Sequence, residues 1–128
     1  VTQNDEIVIN EIAPRVHNSG HHTLQSSKTS QFEQHLRAIL GLRLGSTELV
    51  HHAIMYNILG PKDFEGEYKP IIIPQQNGVF LKMYGKTKSK PKRKLGHINI
   101  IDVEESENVE NLLDKVEQIK KSIKFESV

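Results

Sequence analysis

Two stretches of this 128-residue chain concentrate side chains able to manage negative charge. In the first, Asn10-Glu11-Ile12-Ala13-Pro14-Arg15-Val16-His17-Asn18-Ser19-Gly20-His21, a carboxylate is followed four residues on by a guanidinium, then by imidazole, amide and hydroxyl groups. Carboxylate oxygens suit a hard cation, and Arg, His and Asn donors suit phosphate or carboxylate, so one loop of this kind can serve a metal and its anion together. The same residue types also make capped, solvated turns, and composition leaves both readings open. The second stretch carries Lys82, Lys86, Lys88, Lys90, Lys92, Arg93 and Lys94 with no acid between them. Its field attracts phosphate over about 8 Å at physiological salt. A phosphorylated metabolite, a nucleic-acid backbone or plain solvent at a hairpin tip would each account for it. Phe80 and Tyr84 do not make a stacking series, which leaves single-stranded nucleic acid as the weaker functional reading.

A zinc site from His17, His21 and His22 is the weaker reading of those imidazoles. Ser19-Gly20 interrupts any helix that would align them, the chain has no cysteine, and no third and fourth ligand is evident. His51-His52 precede an apolar segment and read as surface or strand-edge residues.

The elements that must position these groups follow from periodicity. Ile7, Val8, Ile9 and Ile12 form an apolar run between Asn4-Asp5 and Pro14, as a buried strand over residues 6–12 would. Residues 15–27 read as a loop, with Gly20 free to turn left-handed. Ser30 and Glu33 have capping-box spacing, and Phe32, Leu36, Ile39 and Leu40 then predict an amphipathic helix with an apolar packing face, ending at Gly41. Gly45-Ser46-Thr47 marks the expected boundary. Beyond it, residues 53–59, a short run at 71–73, and 79–84 with 95–101 as a hairpin pair read as strands. Val109, Leu112, Leu113, Val116, Ile119 and Ile123 predict a closing helix. Glu104, Glu105 and Glu107 stand at its start and Lys120, Lys121 and Lys124 at its end, in the sense its dipole favours. The class is α+β: a strand, loop and helix over residues 1–46, then a small mixed-sheet domain with a C-terminal helix over residues 47–128.

Composition narrows the rest. The formal charge of +1 gives no global pull toward nucleic acid or membrane, and apolar runs such as residues 71–73 fall far short of the ~20 residues that span a bilayer. The absence of cysteine excludes disulfides and thiolate catalysis and leans toward a cytoplasmic setting. A start at Val1, without methionine and in the approach to a strand, leads to the expectation of an excised or proteolysed fragment.

The stretches 10–15, 17–21 and 29–38 resemble the closing part of the ATP-grasp domain in the 5-(carboxyamino)imidazole ribonucleotide synthase family, the ATPase subunit of phosphoribosylaminoimidazole carboxylase. Tyr84-Gly85-Lys86 and Lys90-Pro91-Lys92-Arg93-Lys94-Leu95-Gly96-His97 are similar to that family's C-terminal signature, so the likeness runs over nearly the whole chain. It implies a ligase of purine biosynthesis that joins 5-aminoimidazole ribonucleotide to bicarbonate with ATP, through carboxyphosphate, assisted by Mg2+.

Position by position, the resemblance implies Glu11 as a magnesium carboxylate with Asn10 beside it in the nucleotide site. It implies Arg15, His17 and Asn18 around bicarbonate or carboxyphosphate, and Lys86 and Arg93 on the ribonucleotide 5′-phosphate. Three positions depart from the pattern: Val16 stands where the family generally has proline, and Lys90 and Lys92 where it has arginine and glycine. The resemblance further implies that the family's N-terminal part must join this chain for turnover, and that a homodimer is compatible with the parent enzyme. A free-standing phosphate or nucleic-acid binding module, or a separately encoded subunit completing a split enzyme, are the competing expectations.

Overall fold

A computed structural model describes residues 8–69, 71–73, 75–103 and 109–128. In chain order, a 3-10 turn at Asn18–Gly20 leads to helices α1 (Thr23–Ser26) and α2 (Gln31–Ile39). Strands β1 (Ala53–Leu59), β2 (Gly66–Glu67), β3 (Val79–Met83), β4 (Lys88–Ser89) and β5 (Lys94–Ile101) follow, then helix α3 (Val109–Ser122). The main sheet has the order β1-β5-β3, and β2 pairs with β4 in a separate two-stranded ribbon. Every ladder is antiparallel, so the mixed sheet expected from the sequence contains no parallel pair among the described residues.

The main sheet is two-faced, and the alternation of β5 makes it so. Ile98 lies between Tyr56 and Leu81, and Ile100 between Ile54 and Val79. Leu112, Val116 and Ile119 of α3 close over these residues, and Ile58 and Ile71 complete the core. On the opposite face, His97 lies between Asn57 and Lys82, and Asn99 between Met55 and Phe80. This face is also buried at its centre, with His97 3% and Asn99 1% exposed. The cover is the 3-10 turn and α1: the Asn99 amide donates to the His21 carbonyl at 2.9 Å and to Gln25 Oε1 at 2.6 Å.

Several expectations need correction. Of the strand expected at 6–12, residues 6–7 lie outside the described residues, and residues 8–12 have no regular structure. Ile9 is 86% exposed; an apolar run becomes a strand only where a ladder partner exists, and none pairs with it among the described residues. The run 71–73 is not a strand either, because it has no ladder partner among the described residues; it turns Ile71 into the core and leaves Ile72 outside. The pairing of 79–84 with 95–101 holds, but β4 interrupts the connection.

The loop expected at 15–27 instead holds the 3-10 turn and α1. Their organiser is Gln31, which accepts from the His17 backbone N–H at 2.8 Å and donates to the His17 carbonyl at 2.7 Å. Gly20 does not turn left-handed; a Cβ there would lie 2.6 Å from Gln31 Oε1 and would displace that amide. The cap of α2 is as expected, with Ser30 Oγ accepting from Glu33 N–H, while the Glu33 carboxylate pairs with Arg37. Beyond Phe32, which is partly buried, its apolar stripe is uncovered: Leu36 is 58% exposed, and Ile39 and Leu40 are exposed as well. The acids expected at the start of α3 lie outside the described residues; Lys120 and Lys121 occupy its last turn.

Candidate functional site

The two charge-managing stretches meet along one edge of the polar face. His17 caps the 3-10 turn, its Nδ1 accepting from the Ser19 N–H at 3.3 Å. Nδ1 also lies 2.8 Å from Ser19 Oγ, and Nε2 faces Glu11 Oε1 at 3.6 Å. Asn18 reaches the sheet: its amide nitrogen donates to Asn57 Oδ1 at 2.9 Å, and its oxygen accepts from Lys94 Nζ at 3.0 Å. Asn18 and Lys94 are 76 positions apart, so this contact ties the first stretch to the second. The Lys94 carbonyl accepts from Lys86 Nζ at 2.6 Å, and that ammonium also lies 5.8 Å from the centre of the Tyr84 ring.

Beneath this edge sits an aromatic layer. His21 stacks on Phe32 with ring centres 5.4 Å apart and tilts against His97 at 4.9 Å. The Tyr84 hydroxyl and His97 Nδ1 are 2.9 Å apart. Burial holds both imidazoles below the ordinary histidine range, with Lys94 and His17 adding repulsion at His21, and His21 and Lys82 at His97. Burial also pushes the Tyr84 hydroxyl up, partly opposed by a hydrogen bond from Asn18. The two imidazole rings, disfavoured in their charged form, therefore lie beside Lys82 and Lys94 without adding to the positive charge there.

Not every expected residue joins this edge. Arg15 donates to the Val16 carbonyl at 3.0 Å and lines a cavity of about 510 Å³ together with Gln34, His35 and Ala38 of α2. None of the other expected site residues lines that cavity. Arg93 bends back to the Lys88 carbonyl at 3.1 Å, and Asn10 and Glu11 are exposed. Sequence reasoning missed Asn57, Asn99 and the bridging role of Lys94. Among the described residues no group of three or more His, Cys, Asp or Glu side chains is placed to hold a metal, and no helix is long and apolar enough to cross a membrane.

The family model of the ATP-grasp domain matches residues 1–32, and that of the phosphoribosylaminoimidazole carboxylase C-terminal domain matches residues 53–113. The class is therefore an ATP-grasp segment followed by that C-terminal domain.

N5-carboxyaminoimidazole ribonucleotide synthase of Synechococcus elongatus is 46% identical over 125 residues, covering 91% of this chain and 32% of that protein. The crystal structure of the Thermotoga maritima synthetase superposes with a TM-score of 0.85 at 44% identity, covering 99% of this chain and 35% of that one. A structure of the Aspergillus clavatus enzyme in complex with ADP and 5-aminoimidazole ribonucleotide matches with a TM-score of 0.65 at 33% identity, over 90% of this chain and 32% of that one. The chain is thus similar over nearly its whole length to the C-terminal part of N5-carboxyaminoimidazole ribonucleotide synthases. It spans about a third of the length of these relatives.

Proposed function

We propose that this chain supplies the C-terminal part of an ATP-dependent ligase that carboxylates 5-aminoimidazole ribonucleotide with bicarbonate, through carboxyphosphate. Residues 1–46 close the ATP-grasp domain in this reading, and residues 47–128 form the smaller domain. The observation that carries it is the Asn18–Lys94 hydrogen bond, which brings the bicarbonate-side loop and the basic turn to one edge.

In this reading His17 and Asn18 present N–H groups to bicarbonate and then carboxyphosphate once Asn18 gives up its bond to Asn57, and Arg15 joins them only by leaving the Val16 carbonyl; together they stabilise charge that grows as the acyl phosphate forms. Lys86 and Arg93 leave their carbonyl partners to hold the 5′-phosphate of the ribonucleotide, fixing its amine near the acyl phosphate. The exposed Glu11 carboxylate, with Asn10 beside it, fits Mg2+ as one hard ligand among triphosphate oxygens and waters. When bound, Mg2+ neutralises the triphosphate oxygens and polarises the transferred phosphoryl group.

The test is kinetic, in the complete enzyme. Arg93→Ala raises KM for the ribonucleotide roughly 10- to 100-fold with KM for ATP little changed, the effect of losing a charge-assisted hydrogen bond. Glu11→Gln lowers kcat and shifts the Mg2+ dependence. Equal effects of both changes on every substrate would show that these side chains only support the fold. The purified 128-residue chain should release no ADP from ATP, and sustained release would refute the division of labour.

A further inference from the structure

Residues 84–87 join β3 to β4 and belong to neither ladder. Packing does not hold this turn. Gly85 adopts a φ of +67°, a Cβ built there would meet nothing within 4 Å, and a cavity of about 390 Å³ opens against the turn, lined by Tyr68, Ile71, Met83 and Lys86. Two hydrogen bonds pin it instead. The Tyr84 N–H donates to the Leu95 carbonyl at 2.8 Å, and the Tyr68 hydroxyl donates to the Lys86 carbonyl at 2.7 Å. Tyr68 is itself well anchored: its ring packs against the core and lies 6.1 Å from the Phe125 ring, and its backbone bridges Ser127. The hydroxyl therefore ties the Lys86 backbone to the core.

The Lys86 ammonium rests on the Lys94 carbonyl, beside a bulge at which β1 pairing passes from Ile58–Gly96 to Leu59–Lys94 and skips Leu95. Once the ammonium leaves that carbonyl for a phosphate, its far end is no longer fixed by the protein. A charge on a flexible four-carbon stem is then placed only as well as the backbone beneath it, and each alternative position it samples weakens the contact.

We infer that Tyr68 is a positioning residue whose hydroxyl fixes the backbone from which Lys86 reaches the ribonucleotide phosphate. This rests on the reading of Lys86 as a phosphate contact, and the experiment separates the two.

In the complete enzyme, Tyr68→Phe keeps the ring and removes only the hydroxyl. It raises KM for the ribonucleotide about three- to tenfold, the equivalent of one neutral hydrogen bond, with kcat and KM for ATP within about twofold. A loss of stability alone would lower the amount of active enzyme and leave KM where it was. Lys86→Ala raises the same KM, and adding Tyr68→Phe to it costs nothing more, because the ammonium being placed is gone. An activity-independent readout is amide hydrogen exchange, which quickens at residues 85–87 in Tyr68→Phe while the β3–β5 ladder is unchanged; an unaltered turn would refute the tether. If Lys86→Ala leaves the ribonucleotide KM unchanged, the reading of Lys86 falls and the proposal with it. If Lys86→Ala is damaging but Tyr68→Phe is silent, or if the two changes multiply, Tyr68 does not act through Lys86 and the positioning role alone is refuted.

Discussion

Replacing Lys92 by glycine should stabilise the chain, and the size of the effect follows from its backbone. Lys92 is the only non-glycine residue with a positive φ among the described residues, at +61°. It follows Pro91 in a tight turn closed by the Arg93 N–H on the Lys90 carbonyl at 3.0 Å. Proline first and a positive φ second is the pattern of a type II turn, whose second central position favours glycine. The turn cannot relax, because the Lys92 N–H donates to the Gly60 carbonyl at 3.0 Å and the Gly60 N–H donates to the Arg93 carbonyl at 2.8 Å. Gly60 permits this approach: a Cβ there would lie 2.1 Å from the Lys90 carbonyl oxygen.

An L-residue held left-handed costs about 1–2 kcal/mol. Glycine returns roughly 0.5–1 kcal/mol of that through the freedom it gains in the unfolded chain, leaving a net gain of about 0.5–1 kcal/mol. For a chain of this size the gain is a rise in Tm of about 2–5 °C, and a higher urea midpoint at unchanged slope. Lys92→Ala is the matched control. It removes the same charge from the cationic run but keeps a Cβ at the strained position. If Lys92→Gly is no more stable than Lys92→Ala, the strain argument is wrong.

Acid should weaken the fold through the aromatic layer. His21 and His97 have pKa values lowered by burial, so above the ordinary value of 6.5 both are neutral, folded or unfolded, and contribute no pH dependence. Below it the unfolded chain takes up protons first, so stability falls as pH drops toward the folded values, by at most about 1.4 kcal/mol per pH unit for each ring, and then levels off. Urea titrations at several pH values should show this slope, with a smaller one in His97→Gln; an unchanged slope would refute the assignment. The two apolar stripes should differ sharply: Leu112→Ala, 1% exposed, should cost about 2–5 kcal/mol, whereas Leu36→Ala, 58% exposed, should stay within about 0.5 kcal/mol in this chain. Chemical denaturation distinguishes them, and equal losses would mean that α2 has a cover in solution.

Residues that report on their own neighbours were legible in the sequence. Ser30 with Glu33 located the start of α2, and the spacing of Leu112, Val116 and Ile119 located the buried stripe of α3. The apolar runs at 53–59, 79–84 and 95–101 were equally plain, and the strands lie at 53–59, 79–83 and 94–101. What failed depended on distant partners. The apolar run at 8–12 had strand composition without a ladder partner among the described residues. His97-Ile98-Asn99-Ile100 alternates as a strand with one wet face would, yet both faces are buried, because a strap some 75 residues earlier in the chain lies across the polar one. The β5 bulge had no local signature either, and it decides where Lys94 points.

The two faces of the main sheet divide the labour of the molecule. Ile98 and Ile100 bury carbon against α3, an interaction without direction that fixes how stable the sheet is and very little about where any one polar atom lies. Asn57, His97 and Asn99 hold the strap by hydrogen bonds and ring contacts, which are directional and fail with small displacements. A large-to-small change on the core face should therefore lower stability while leaving the Asn18–Lys94 geometry in whatever fraction remains folded. A change in the polar row should displace the strap, and with it the Asn18–Lys94 contact, before it alters the melting temperature by a comparable amount. Because β5 supplies both rows, its one bulge is the point where the directional contacts are set independently of the packing, and the charge-bearing residue sits beside it.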